Sequence, residues 1–192
     1  MKKTLLFALA ILIPLIGYAQ RDSIGVYYET DLGLKKIEPI RYTKTKVNTL
    51  GSAFSMGIAS TSIRKIYPGA TSSNVVSNTP VFYFYYQDEV KLSQEIKYYM
   101  FYASDTPSDI ILAKFKKKKK TRELSVGKIN AYSGMTMGTA DDVDAAVEFE
   151  EVRDGVYKVY FDKPIANGEY CFLFNSPDGE GAYMYVFDFT VS

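Results

Sequence analysis

Histidine and tryptophan are both absent from the 192 residues, and there is one cysteine. Without histidine there can be no Ser-His-Asp triad, no imidazole general base and no histidine-bearing zinc site. A single cysteine excludes a disulfide within the chain. Charge of one sign is not in excess either. The 23 Lys plus Arg stand against 22 Asp plus Glu, which argues against a globally cationic nucleic-acid binder, and no nucleic-acid partner is expected. What remains is 47% hydrophobic and 15% aromatic, including 17 tyrosines and 12 phenylalanines. This is a globular composition rather than a disordered or fibrous one.

The N-terminus carries an address. Lys2 and Lys3 precede an apolar run from Leu5 to Ile16, and Gly17-Tyr18-Ala19 places small residues three and one positions before Gln20. That is the pattern of a secretory signal peptide cleaved after Ala19. The run is interrupted by Pro14 and falls short of the roughly 20 residues a membrane-spanning helix needs, so no transmembrane segment is expected in the mature chain. Export to the periplasm, the cell surface or the medium follows as the expectation. Removing residues 1–19 leaves 21 basic against 22 acidic residues in a single domain over 20–192. A chain of that length can bury roughly 70% of its unfolded surface without a disulfide staple. Cys171, inside Glu169-Tyr-Cys-Phe-Leu-Phe174, reads as a small apolar core residue rather than a nucleophile or an intermolecular disulfide.

The apolar clusters after Gln20 are short, rich in Tyr, Phe, Val and Ile, and bounded by Gly, Pro, Asn, Asp or Ser. Such punctuation predicts strands. They are placed at 24–30, 34–41, 81–86, 97–103, 109–115, 122–129, 146–152, 156–161, 169–174 and 183–191. Asp31-Leu-Gly33, Asp154-Gly155 and Pro177-Asp-Gly179 supply the turn chemistry for hairpins, the first of which spans 24–41. Val147-Glu-Phe-Glu150 alternates as a strand with one wet face should. Val81-Phe-Tyr-Phe-Tyr-Tyr86 and Tyr98-Tyr-Met-Phe-Tyr102 are apolar on both sides and predict central strands. Residues 49–79 form a small-residue-rich connection in which helix, strand and loop stay open. Pro68-Gly69 marks a turn there, and 72–80 reads as loop. The fold class is therefore all-β, an antiparallel β-sandwich, with an immunoglobulin-like arrangement as one option.

Pro80-Val-Phe-Tyr-Phe-Tyr-Tyr86, the stretch from Ala103 to Lys114, Thr121-Arg-Glu-Leu-Ser-Val-Gly-Lys128, Gly155-Val-Tyr-Lys158, Asn167-Gly-Glu-Tyr-Cys-Phe172 and Phe187-Asp-Phe189 together resemble a group of secreted bacterial proteins without an established activity. Gly25-Val-Tyr-Tyr28 and the stretch from Leu34 to Pro39 resemble the way such chains begin after their signal peptides. The resemblance implies a compact β-sandwich and carries over no functional residue.

The most conspicuous local feature is Lys114-Phe-Lys-Lys-Lys-Lys-Lys120, followed by Arg122. Consecutive ammonium groups cannot be buried or paired locally, so Lys114, Lys116, Lys117, Lys118, Lys119, Lys120 and Arg122 should form an exposed hairpin or edge. Lysines there can simply block sheet-to-sheet aggregation. They can also bind an acidic glycan, a lipid headgroup or an acidic protein. Carboxylates are the other candidates. Glu148 and Glu150 would share one strand face, at a separation that glycoside hydrolases also use, but alternating acids on a wet face produce the same spacing. Asp141, Asp142 and Asp144 are weak calcium candidates, lacking the glycine and distal glutamate of an EF-hand loop. Gly134-Met-Thr-Met-Gly138 has no Gly-Lys-Ser/Thr and is no phosphate loop. Tyr27, Tyr28, Tyr132 and Tyr183 are the tyrosines expected at the surface. No cofactor is expected. The functional expectation is a secreted, non-catalytic binding module, and the alternative is a carboxylate-dependent hydrolase acting on glycan.

Overall fold

The computed structural model describes residues 24–47, 59–86, 107–130, 132–137, 143, 145–174 and 185–192. The described chain is β almost throughout. In chain order the strands are β1 (Gly25–Thr30), β2 (Gly33–Ile37), β3 (Ile40–Arg41), β4 (Lys44–Val47), β5 (Thr61–Pro68), β6 (Val75–Val76), β7 (Phe82–Tyr85) and β8 (Ile110–Lys114). They continue with β9 (Lys116–Lys117), β10 (Thr121–Asn130), β11 (Gly134–Met137), β12 (Val147–Arg153), β13 (Val156–Phe161), β14 (Gly168–Phe174) and β15 (Tyr185–Val191). A 3-10 turn at Pro107–Asp109 leads into β8. Among the described residues no helix is long and apolar enough to cross a membrane.

The strands form three sheets. One outer sheet runs β12-β13-β7-β1-β2, the other runs β11-β10-β5-β4 with β9 also paired to β10, and β3-β15-β14-β8 lies between them with β6 added to β15. The middle position follows from alternation along β14 and β15. Tyr170, Phe172, Phe187, Phe189 and Val191 pack with Val26, Tyr28, Ile37, Phe82, Phe84 and Val159 of the first outer sheet. The intervening Cys171, Leu173 and Val186 pack with Ile63, Tyr67, Leu124 and Val126 of the second. Successive side chains of a strand point to opposite faces, so a strand with apolar residues on both faces needs a layer on each side. The architecture is an all-β sandwich with two apolar interfaces.

The chain stitches these layers together at corners. Residues 34–41 do not form one strand as expected. They divide at Pro39, which has no N–H to donate, and the chain leaves β1 at Ile37 to pair Ile40 and Arg41 with β15. A second corner lies at Phe115, whose N–H bonds to the Glu169 carbonyl between β8 and β9. Two of the expected hairpins form, β1 to β2 and β12 to β13. Gly33 and Gly155 take the positive φ those turns require, at 110° and 65°, and an added Cβ at Gly155 would collide with the Tyr86 carbonyl oxygen. The residue at this turn must remain glycine.

The small-residue-rich connection at 49–79 contains β5, an eight-residue strand paired on both edges, by β10 and by β4. Within the expected loop at 72–80, Val75 and Val76 pair in parallel with β15. β7 is central, as its two-sided apolarity predicts. β12 is not half-buried: it is the edge of its sheet and exposed on both faces, with Phe149 41% accessible. The leader at 1–19, the strand at 97–103 and the turn at 177–179 lie outside the described residues.

Candidate anion-binding face

In the second outer sheet, Ile63 and Tyr67 of β5 and Leu124 of β10 point into the core. The alternate positions therefore face away from the molecule. Register places Lys116 opposite Glu123, Glu123 opposite Ile66, and Ile66 opposite Lys44, so one outward row crosses β9, β10, β5 and β4. The next row holds Ser125, Arg64 and Lys46. A β-bulge between Ser125 and Gly127 restores the phase, which sets Lys128 outward with Ser62 and Thr136. Among the described residues, five cations from four strands thus share one outward face with a single carboxylate.

That carboxylate is nearly withdrawn from solvent. The Glu123 side chain is 8% exposed, accepts a hydrogen bond from Arg64 Nη1 at 3.1 Å and lies 4.0 Å from Lys46 Nζ. Its effect is to hold the Arg64 guanidinium in place while Lys44, Lys46, Lys116 and Lys128 remain exposed. Ile66 is buried although it points outward, so the face presents charge and hydroxyl groups rather than apolar surface.

Pairing to β10 sorts the lysine run by parity. Lys116 joins the outward face. Lys117 pairs opposite Arg122, points inward and reaches Glu169 Oε1 at 3.5 Å. Lys118 closes the turn with an N–H bond to the Thr121 carbonyl, and Lys118, Lys119 and Lys120 are exposed there. Lys114 is elsewhere, half-buried on β8 with its ammonium 5.4 Å above the Tyr170 ring. Arg122 requires a correction. It is 2% exposed and no part of a solvent-facing finger, because its position on β10 has the same parity as Leu124 and aims it at the middle sheet.

Arg122 is the hub of a buried ionic cluster. Nη1 donates to Asp188 Oδ2 and lies 3.7 Å from Glu169 Oε2, Nη2 donates to the Pro68 carbonyl at 3.1 Å, and the guanidinium carbon sits 5.1 Å from the Phe115 ring centre. Nε has no hydrogen-bond partner among the described residues. Glu169 Oε2 also accepts from the Ser72 N–H at 3.0 Å and from the Thr190 hydroxyl at 2.8 Å. Ser72 and Asn74 side chains both donate to the Asp188 carbonyl at 3.1 Å. Buried charges are tolerated only when paired and hydrogen-bonded in this way. The cluster ties β9 and β10 to β14 and β15 beneath the cationic face. Sequence reasoning missed it, although one signal was present: Glu169 and Asp188 interrupt strands that are otherwise apolar on both faces, so each needed a buried cation.

The remaining candidates do not converge. Glu148 and Glu150 are exposed on β12, and Glu150 pairs with Lys158 at 3.2 Å. An open cleft of about 330 Å³, lined by Thr79, Pro80, Val81, Glu150, Lys158, Tyr160 and Phe161, holds that one carboxylate. Asp141, Asp142, Asp144 and Tyr183 lie outside the described residues. Tyr132 is 79% exposed as expected, whereas Tyr27 and Tyr28 are buried, Tyr27 edge-on to Tyr85 and Tyr28 in the core with Phe82 and Phe84. Cys171 is fully buried, and that burial, reinforced by nearby Asp188 and opposed by Arg122, holds its thiol well above the ordinary range. In the native protein it is expected to be silent towards a thiol-specific chromogenic reagent and to react within seconds of denaturant addition. Rapid labelling of the folded chain at neutral pH would contradict this placement.

No protein-family model, no curated protein and no solved structure matches this chain.

Proposed function

We propose that the chain is an exported, non-catalytic binding module that holds an anionic partner on the β9-β10-β5-β4 face and the adjoining lysine turn. The observation carrying this reading is the outward register itself, where Lys44, Lys46, Arg64, Lys116 and Lys128 share a surface with one shielded carboxylate. Exposed ammonium groups bind anions through long-range attraction that salt screens, the screening length falling from about 30 Å at 0.01 M to about 3 Å at 1 M. The sheet fixes the backbone from which the cations project, so the ordering that binding requires is confined to their side chains. Export is supported by the leader-like residues 1–19. The hydrolase alternative finds less support. Among the described residues the buried acids are Glu123, engaged with Arg64, and Glu169 and Asp188, engaged with Arg122, and the described cleft offers a single acid already paired to Lys158.

Retention on immobilised acidic polysaccharide, anionic vesicles and polyglutamate, each compared with neutral agarose, tests the reading. The protein should be held by at least one anionic matrix at low salt and released as salt rises. A variant carrying Gln at positions 44, 46, 116, 118, 119 and 120 should elute at least tenfold earlier in retention factor. Retention on none of the matrices, or an unchanged variant, would refute the proposal.

A further inference from the structure

The dimensions and chemistry of the cationic face discriminate among anions. Lys116 and Lys44 stand three strand spacings apart on β9 and β4, which is about 14 Å at 4.8 Å per spacing. Lys44 and Lys46 are two residues apart along β4, about 6.7 Å, and Arg64 adjoins Lys46 on the neighbouring strand. A single phosphate or carboxylate can reach only a pair of these groups. Engaging the set requires anions repeated along an extended molecule.

Three features of the same face narrow the class. Among the described residues its outward register contains no aromatic side chain, since Tyr67 of β5 points inward, so these strands offer no stacking platform of the kind on which single-stranded nucleic acid depends. Among the described residues it exposes no large apolar side chain: Ile66 is buried, and Val47, Ile129 and Met135 of these strands belong to the opposite parity. That removes both the pockets a peptide's side chains would occupy and the apolar wedge that stabilises attachment to a lipid surface. Ser62, Ser125 and Thr136 alternate with the cations and offer hydroxyl groups that donate and accept hydrogen bonds.

Resting on the binding-module reading, we infer that the ligand is a linear acidic polysaccharide lying across β9, β10, β5 and β4. Its carboxylates or sulfates meet Lys116, Lys44, Lys46, Arg64 and Lys128, and its hydroxyl groups meet the interleaved serines and threonine. The sugar chain is read by charge repeat rather than by ring stacking, so affinity grows with oligomer length as successive anions bind at high effective concentration.

The test is a titration of the intact protein with galacturonate oligomers of one, two and six units, with oligothymidylate and phosphatidylglycerol vesicles in parallel. The hexamer should bind at least tenfold more tightly than the dimer and the monomer not measurably. Each Lys→Gln change at positions 44, 46, 116 or 128 should weaken hexamer binding and make the fall of log affinity with log salt less steep. A tip variant with Gln at 118, 119 and 120 should retain most of the hexamer affinity. These positions are exposed, and unchanged thermal unfolding of the variants confirms that the fold survives. Tighter binding to vesicles or oligothymidylate than to the hexamer, affinity independent of length, or loss confined to the tip variant would overturn the polysaccharide assignment while leaving an anion-binding module. Binding to no anionic probe would overturn both.

Discussion

Replacing Arg122 with Met is expected to destabilise the protein by about 3–5 kcal/mol, because it strands two buried carboxylates that share one cation. Glu169 and Asp188 are each 3% exposed, and the sole other cation within 4.0 Å of either, among the described residues, is Lys117 at 3.5 Å from Glu169. The hydrogen bonds that Glu169 accepts from the Ser72 N–H and the Thr190 hydroxyl satisfy lone pairs but do not neutralise charge. Domains of this kind have total stabilities of about 5–15 kcal/mol, so the variant should unfold at a markedly lower urea concentration. Arg122→Lys keeps the charge but loses the fork to Asp188 and Pro68, and should fall between the two. Adding Glu169→Gln and Asp188→Asn to Arg122→Met should return much of the lost stability, since uncharged groups cost less to bury than unpaired ions. A loss below about 1 kcal/mol for Arg122→Met, measured by urea midpoint at constant m, would mean that the cluster does not exist as described.

Phe172→Ala should be of similar size for an apolar reason. The ring is fully buried on β14 in the middle sheet and lies 4.8 Å from Phe82, 5.2 Å from Phe84 and Phe189 and 6.4 Å from Phe161, centre to centre. Removing it takes away the transfer free energy of the side chain and leaves a cavity bounded by four rings on rigid strands, a combination worth about 3–5 kcal/mol. Phe149→Ala is the control. Phe149 is 41% exposed on the edge strand β12 and touches Tyr157 with its ring centre 6.2 Å away, so its loss should stay within about 0.5 kcal/mol. Equal losses at the two positions would contradict the layered arrangement, which alone distinguishes one phenylalanine from the other.

Much of the fold is legible in local sequence. Turn residues at 31–33 and 154–155 and aromatic or β-branched segments between them mark hairpins without reference to the rest of the chain. Two-sided apolarity likewise marks β7 as central. β5 escaped because its outward positions hold Ser62 and Arg64 and its inward ones are interrupted by Lys65, leaving no alternation to see. That strand is held by β10 and β4 on its two edges, and a strand specified by its neighbours carries a weak signal of its own. β12 failed in the opposite sense: its alternation is clear, but among the described residues Val147 at its start packs against the core while the rest of the strand is exposed.

The candidate site shows the same division. That residues 116–120 are exposed follows from the cost of burying charge and needs no coordinates. Which lysine faces solvent, which reaches Glu169, and whether Arg122 belongs with them depend on pairing to β10. A shift of one residue in that register would exchange every assignment. Lys44, Lys46 and Arg64 have no connection to the lysine run until β4, β5, β10 and β9 are laid side by side.

From the chain alone come the all-β class, the hairpins at 31–33 and 154–155, the two-sided strand β7 and the lack of histidine chemistry, because backbone preference, turn geometry and residue inventory are properties of near neighbours or of composition. The three-layer order, the buried Arg122 cluster and the assembly of one cationic face are decided by contacts between residues as far apart as Ser72 and Thr190, 118 positions along the chain. The parity of a strand is a local fact; what lies on either side of it is set by partners that only folding brings within reach.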